Sequence, residues 1–356
     1  MAYLQVRNLR VVIDDFVLQD IDFSLERGKI LALLGPSGSG KTSLIQAIAG
    51  LIPVAAGDIS IDDIDVTDTP VHKRNIGIVF QDFALFPHLN VYDNIAFGLK
   101  SRRIFTRNLN DRISYLLQLV GLSGYEKRDV TTLSGGEKQR VALARTLAPQ
   151  PEIILFDEPL SAVDEELRTR LREQLFRIQQ ELGFTAIYVT HDREEAFYFA
   201  DKIGIIFAGR IWQIDTPEEV YERPVSPVIA GFLGIDNRLA ANVIEKQREG
   251  YMVEYAGLNI YLNTKTDLSK DDRIDILLKP EKIKLSAEKD AENSLPIKLL
   301  SSRNYGSKTE FLVELAGLNM KIIQTGEKLP LISSDQLYLN LDQESMLVYK
   351  DEKLIS

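Results

Sequence analysis

Two textures of hydrophobic and polar positions follow one another along the chain. Up to about residue 230, short apolar runs alternate with helical periodicity. Ile30 to Leu34 is an apolar run that ends at Gly35, and Lys41 to Leu51 follows with Leu44, Ile45, Ile48 and Leu51 at helical spacing. Ile153 to Phe156 reads as a second buried strand. Asp164 to Leu182 repeats Leu167, Leu171, Leu175, Ile178 and Leu182, with Asp164 as N-cap and Gly183 as stop. Ala186 to Val189 and Ile203 to Phe207 are further strand runs. Strands alternating with helices predict an α/β domain with a largely parallel core sheet. From about Leu89 to Leu147 the pattern is mostly helical, as in Ile113, Leu116, Leu117 and Val120, and predicts a helical subdomain inserted in that core.

After about Ile235 the texture changes. Tyr251 to Tyr255, Asn259 to Leu262, Ile274 to Leu278, Phe311 to Leu315, Lys321 to Gln324 and Leu337 to Leu341 alternate with period two, separated by Gly, Asn, Asp and Ser. That predicts a small all-β domain, a sandwich or barrel. The boundary is placed near Gly234–Asp236, giving domains of residues 1–234 and 235–356.

The length of 356 residues fits two domains. A net charge of −10 argues against a general nucleic-acid surface, but not against one nucleotide held in a local nest of amides. The absence of cysteine excludes disulfides, thiol nucleophiles and cysteine-held clusters, and suits a reducing compartment. The start, MAYLQVRNLRVV, lacks the apolar stretch of a signal peptide, and no run approaches the ~18 apolar residues of a membrane span. The expectation is a cytosolic chain that reaches a membrane only through partners.

Gly35-Pro36-Ser37-Gly38-Ser39-Gly40-Lys41-Thr42 fits G-x-x-x-x-G-K-[ST], with Ser43 next on the predicted helix. Glycines let backbone amides turn toward phosphate oxygens, and the helix beginning near Lys41 aims its positive end at them. Lys41 is placed to neutralise β and γ phosphates, and the Thr42 hydroxyl to ligate Mg²⁺. The run Ile153–Phe156 delivers Asp157 at a strand tip, where it can hold Mg²⁺ through water, and Glu158 follows as the candidate base that orients the attacking water. Two solvated carboxylates would be the plainer reading of this pair, were no phosphate loop nearby.

Leu133-Ser134-Gly135-Gly136-Glu137-Lys138-Gln139-Arg140 carries an S-x-x-E capping box, and a helix continues through Val141, Leu143, Ala144 and Leu147. Two glycines and a serine at a helix start also make a second anion site. Here the chain resembles the ATP-binding-cassette (ABC) ATPases, whose signature motif this looks like, with Glu137 where many members carry glutamine. Gln81 in Val79-Phe80-Gln81-Asp82 resembles the Q-loop, which in the family touches Mg²⁺ and the attacking water. Ser161-Ala162-Val163-Asp164 resembles the D-loop. His191 in Val189-Thr190-His191-Asp192 resembles the switch histidine that contacts the γ phosphate. The family usually stacks an aromatic on adenine. Here the corresponding stretch reads Val11-Val12-Ile13-Asp14-Asp15-Phe16, leaving Val12, Ile13 or Phe16 for that contact.

Within the family, the absence of fused membrane helices speaks against an exporter. The absence of sustained heptads between Lys41 and Asp157 speaks against a chromosome-structure or repair ATPase, and the single cassette against a translation factor. Lys73 to Asp82, Ala84 to Leu89 and Gly209 through Thr216-Pro217 to Tyr221 resemble importer ATPases for sugars, polyamines, ferric iron and oxyanions. Phe83, Leu85, Phe86 and Leu89 either line a groove for a permease helix or form subdomain core. Leu278-Lys279-Pro280-Glu281 and Tyr305-Gly306 resemble motifs of the oligonucleotide-binding-like (OB-like), TOBE-type regulatory extension of those importers.

The resemblance implies a P-loop NTPase cassette followed by an OB-like domain. It implies a homodimer that sandwiches two Mg-ATP, each between Gly35–Ser43 of one copy and Ser134–Gly136 of the other. Glu158, His191, Gln81 and Lys41 would serve hydrolysis, and Thr42, Gln81 and Asp157 would arrange Mg²⁺. Two membrane permeases and, indirectly, an extracytoplasmic solute-binding protein would be partners, at the cytoplasmic face of the membrane. The alternative is an ATP-switched regulatory module without transport. No residue of an ATPase need touch the solute, so the sequence leaves the solute open.

Overall fold

The computed structural model describes residues 2–101, 109–161, 163–247, 249–289, 293–325 and 337–356. Contacts divide the chain into two compact units, Met1–Glu218 and Glu219–Ser356.

Among the described residues the first unit contains ten strands: β1 (Ala2–Ile13), β2 (Phe16–Glu26), β3 (Ile30–Leu34), β4 (Ala56–Ile61), β5 (Ile64–Asp65), β6 (Ile76–Val79), β7 (Ile153–Asp157), β8 (Thr185–Thr190), β9 (Lys202–Phe207) and β10 (Arg210–Asp215). Its helices are α1 (Lys41–Ala49), α2 (Val91–Ser101), α3 (Leu109–Leu119), α4 (Gly135–Leu147), α5 (Glu165–Leu182) and α6 (Arg193–Phe199). A seventh, α7 (Pro217–Glu222), crosses the division.

The central sheet runs β10-β9-β3-β8-β7-β6, with β9, β3, β8, β7 and β6 parallel and β10 antiparallel at one edge. Every residue of β3, β7 and β8 is buried, as expected where both faces of a parallel sheet are covered. The pleat sorts them. Ile153, Leu155, Ile187 and Val189 join a core with α1, whereas Ile154, Phe156, Ala186 and Tyr188 join one with the helices between 91 and 199. The first core also contains a separate antiparallel sheet, β2-β1-β4-β5, which the periodicity did not announce. Helices α2, α3 and α4 lie between β6 and β7; residues 102–108 of that stretch lie outside the described residues.

In the second unit, α8 (Pro227–Phe232) is followed by β11 (Asn237–Gln247), β12 (Gly250–Tyr255), β13 (Leu258–Leu262), β14 (Arg273–Leu278), β15 (Lys284–Ser286), β16 (Ser294–Asn304), β17 (Lys308–Leu315), β18 (Leu318–Thr325), β19 (Leu337–Asn340), β20 (Met346–Lys350) and β21 (Lys353–Leu354). They form two antiparallel sheets, β13-β12-β11-β14-β20-β21 and β15-β19-β16-β17-β18, around one apolar core, the expected all-β architecture. The contact division falls at Glu218–Glu219, whereas the sequence texture changes near 234. The reason is local: Ala230 and Ile235 pack against Leu277, Leu347 and Tyr349 of the β sheets. The motif lysine Lys279 is buried, with its ammonium on Glu222, and Tyr221 donates to Glu281 at 2.7 Å.

Candidate nucleotide site

The phosphate-binding loop joins β3 to α1. Gly35 leaves no room for a side chain, since a Cβ there would stand 2.2 Å from the Ile206 carbonyl oxygen. Gly40 occupies the left-handed region at φ 101° and is the N-cap of α1. It supplies no side-chain hydrogen bond. By contrast α4, α5 and α6 are capped by Ser134, Asp164 and Asp192. The first-turn amides of α1 therefore lack the acceptor that the other helices have built in.

Those amides border an open cleft of about 440 Å³ lined by Ile13, Phe16, Ser37, Gly38, Gly40, Lys41, Thr42, Ser43 and Glu158. Lys41 is only 5% exposed, and its ammonium donates to the Gly35 and Pro36 carbonyls at 2.7 and 2.9 Å. Burial holds its pKa below the usual lysine value, opposed by the charges of Glu158 and Asp157. The Ser39 hydroxyl is buried without a hydrogen-bond partner among the described residues, an unmet polar group within the loop. Thr42 Oγ1 donates to Asp157 Oδ1 at 2.8 Å. Burial raises the Asp157 carboxyl above its usual range; the Thr42 bond and Lys41 oppose this, and Glu158 adds to it.

This donor set fits Mg²⁺. Among the described residues no group of three or more His, Cys, Asp and Glu side chains forms a cage by itself. One hydroxyl and one carboxylate beside a phosphate cradle are what a Mg²⁺ shared with phosphates requires.

Glu158 leaves β7 in the left-handed region, φ 43°, where a non-glycine residue is strained. Its N–H donates to the Val189 carbonyl at 3.1 Å, and its own carbonyl accepts from the Ser161 hydroxyl at 2.8 Å. Its carboxylate meets His191 Nδ1 at 3.0 Å. Asp157 reaches the loop through Thr42 and Glu158 lines the cleft, while His191, from the adjacent strand end, reaches it only through Glu158 and does not itself line the cleft. Of the D-loop residues, Ala162 lies outside the described set, while Asp164 caps α5 through the Leu167 amide at 3.0 Å.

At the end where adenine was expected, Ile13 and Phe16 line the cleft together, and a Cβ on Gly40 would meet the Phe16 ring at 2.9 Å. Val12 is exposed and is not among the lining residues.

Two expected members stand elsewhere. Gln81 is exposed on the turn after β6 and does not line the cleft. That turn is held from behind by residues the sequence did not flag. Arg145 of α4 donates to the Phe83 and Ala84 carbonyls at 2.9 and 2.6 Å, both left-handed residues, and the buried Asn94 side chain donates to the Phe86, Leu89 and Asn90 carbonyls. A fully buried Asn on an apolar helix face was the only available signal. Ser134, Gly135 and Gly136 also lie apart from the cleft. There the capping box is complete: the Ser134 N–H and hydroxyl donate to Glu137 at 2.8 and 2.9 Å, and Tyr125 donates to the other carboxylate oxygen. These bonds hold the Glu137 carboxyl below its usual range, and the Gly135 and Gly136 amides keep no intrahelical acceptor.

Residues 18–161 match the family model described as ABC transporter. The chain is 41% identical over 285 residues to the spermidine/putrescine import ATP-binding protein PotA of Thermotoga maritima, covering 80% of this chain and 77% of that protein. It also resembles the solved structure of cbiO1 from Clostridium perfringens, part of the ABC transporter complex cbiONQ, with a TM-score of 0.58 and 29% identity. That match covers 63% of this chain and 92% of the other.

Proposed function

The chain belongs to the ABC transporter ATPase family, and from that premise we propose that it is the ATP-hydrolysing subunit of a solute importer, acting as a homodimer beneath two membrane permeases. The observation that carries the nucleotide reading is the uncapped N-terminus of α1. Its amides open into the cleft beside Lys41, Thr42 and Glu158.

Bound triphosphate takes the place of the Gly35 and Pro36 carbonyls as partner of the Lys41 ammonium. Thr42 and Asp157 would hold Mg²⁺, which would supply charge neutralisation of the phosphates. Glu158 orients the attacking water and accepts its proton. His191 fixes that carboxylate from the other side and is the second group directed at the γ phosphate. Gln81 joins them when its turn moves toward the cleft. The remaining anion site, Ser134–Gly136, serves the ATP of the partner copy, because it stands apart from this chain's own cleft.

Among the described residues no helix is long and apolar enough to cross a membrane, so the proposed place at the cytoplasmic face comes through permease contact. The surface around Phe86, Phe97 and Leu85 beside the Gln81 turn is the proposed seat of that contact; Phe97 is exposed and packs tilted against Phe86, with ring centroids 4.4 Å apart. The Thermotoga relative makes polyamine the first solute class to test. Pulling the complex from native membranes and identifying the ligand of its binding protein decides it.

Glu158→Gln tests the ATPase reading. The variant is expected to bind ATP with little change and to lose turnover by about two orders of magnitude or more. It should also remain as an ATP-bound dimer on size exclusion. Near-normal turnover removes Glu158 from the assigned role.

A further inference from the structure

The most heavily buried carboxylate near the site is not one of those assigned to hydrolysis. Glu195, in the first turn of α6, is only 3% exposed. Taking a carboxylate out of water is costly, and a well-packed apolar side chain would fill such a position at lower cost. Two hydroxyls compensate. Thr190 Oγ1 donates to Glu195 Oε2 at 2.7 Å, and Tyr188 donates to the same oxygen at 3.1 Å.

Thr190 precedes His191 directly. Because its proton goes to Glu195, the Thr190 oxygen is left as acceptor, and it receives the Asp192 N–H at 2.9 Å. The Asp192 carboxylate then caps α6 at Glu194 and Glu195, at 2.8 and 3.4 Å. Both neighbours of His191 are therefore tied to one buried oxygen and one short helix. His191 itself is exposed, with Nδ1 on Glu158. Glu158 returns to the same strand through its bond to the Val189 carbonyl. The bonds close a ring: Glu158, Val189, Thr190 with Glu195 and Asp192, His191, and Glu158 again.

We propose that Glu195 is a positioning residue for hydrolysis: by orienting the Thr190 hydroxyl it fixes the backbone on both sides of His191 and holds the imidazole against Glu158. The inference rests on the roles proposed above for Glu158 and His191. It adds that their contact depends on a buried carboxylate that touches neither of them.

The test uses the full chain labelled with ¹⁵N-histidine. It has three histidines, so His72 and His88 serve as internal references. Thr190→Val removes the hydroxyl and keeps the branched shape. It is expected to move the ring signals of His191 alone and to lower kcat about tenfold or more with KM within about twofold. Tyr188→Phe removes the other hydroxyl on Glu195 without touching the loop; it is expected to leave the His191 signals in place and kcat within about twofold. Glu195→Gln retains the volume and one acceptor for Thr190, and should keep most of the rate that Glu195→Ala loses, which covers the case of a poorly folded alanine variant. In a His191→Ala background, Thr190→Val should cost less than about a further twofold, since both changes act through one group. The proposal is overturned if Thr190→Val leaves the His191 signals unmoved, or if its loss multiplies with that of His191→Ala. If the unmodified chain does not hydrolyse ATP, the ATPase reading fails, while the ring signals still decide the positioning network.

Discussion

Asp157 shows how a single residue sets stability against function. It is 8% exposed, and burial holds its carboxyl above the usual range. A carboxyl whose pKa is higher in the folded chain than in the unfolded one favours the fold below the unfolded pKa, and that advantage is lost as pH rises through the folded value. At neutral pH the ionised group is therefore a cost. Asp157→Asn keeps an acceptor for Thr42 and removes the charge. Its melting temperature is expected to exceed that of the unmodified chain near pH 7, with the gap closing as pH falls toward about 4, the ordinary carboxylate range. Hydrolysis should be lost over the same span. Melting curves across pH, beside turnover, check both halves; an unchanged or lower melting temperature at neutral pH would mean that Thr42 and Lys41 outweigh the burial. Asp157 could be read from the sequence because a buried strand ending in a carboxylate is a local pattern. Arg145, Asn94 and Glu195 could not. Arg145 acts on a turn 61 and 62 residues away that only the folded chain brings near; Asn94 and Glu195 act on segments close by in sequence, but each sits on a helix whose periodicity registers apolar residues alone.

At the scale of elements, legibility followed the regularity of the pattern. Helix α5 came through with both ends, Asp164 as N-cap and Gly183 as left-handed stop, because eighteen residues of uninterrupted periodicity leave little choice. Strands β1 and β2 did not. Their pairing carries register shifts between Ala2 and Leu4, Val6 and Leu9, and Leu9 and Val11, with Asn8 at positive φ, and each shift breaks the period of two. Strand β16 was missed for another reason: from Leu300 to Asn304 consecutive residues are exposed on both faces, so there is no alternation to read. The joint between α1 and β6 was equally silent. Buried Arg74, just ahead of β6, donates to the carbonyls of Ala47 and Ile48 at the end of α1 at 3.0 and 2.8 Å, and to Thr67 and Thr69 at 2.6 and 2.7 Å. A guanidinium can serve four acceptors in one plane at a helix C-terminus; a lysine ammonium has three donors and no plane. Arg74→Lys is expected to destabilise the first unit by about 2–3 kcal/mol. This would appear as a lower urea midpoint for loss of its helical signal. A shift below about 0.5 kcal/mol, the range of an ordinary surface change, would show that water replaces the guanidinium at these carbonyls.

For the whole molecule, contacts divide the chain at Glu218–Glu219, and the change of texture near 234 comes later than that division. Residues 219–234 carry short helices, so their pattern continues that of the α/β region, while Ala230 packs with the β sheets. Local periodicity has no means of recording which body a short helix joins. The same limit applies to the active assembly. Ser134–Gly136 and the cleft at Gly35–Ser43 are both proposed anion sites, and nothing along the chain states whether one ATP meets both from one copy or from two. Their separation within the first unit favours two, and a mixing experiment separates the cases. Lys41→Ala breaks the loop, and Ser134→Arg fills the second anion site. Each variant alone should be inactive. In a mixed dimer of the proposed two-fold arrangement, one composite site inherits both lesions. The other joins the intact loop of the Ser134→Arg copy to the intact Ser134 of the Lys41→Ala copy. Mixing, after dissociation and reassembly, is therefore expected to raise turnover above the sum of the parents. Sites completed within one chain would leave every copy broken in any mixture, and turnover would stay at that sum.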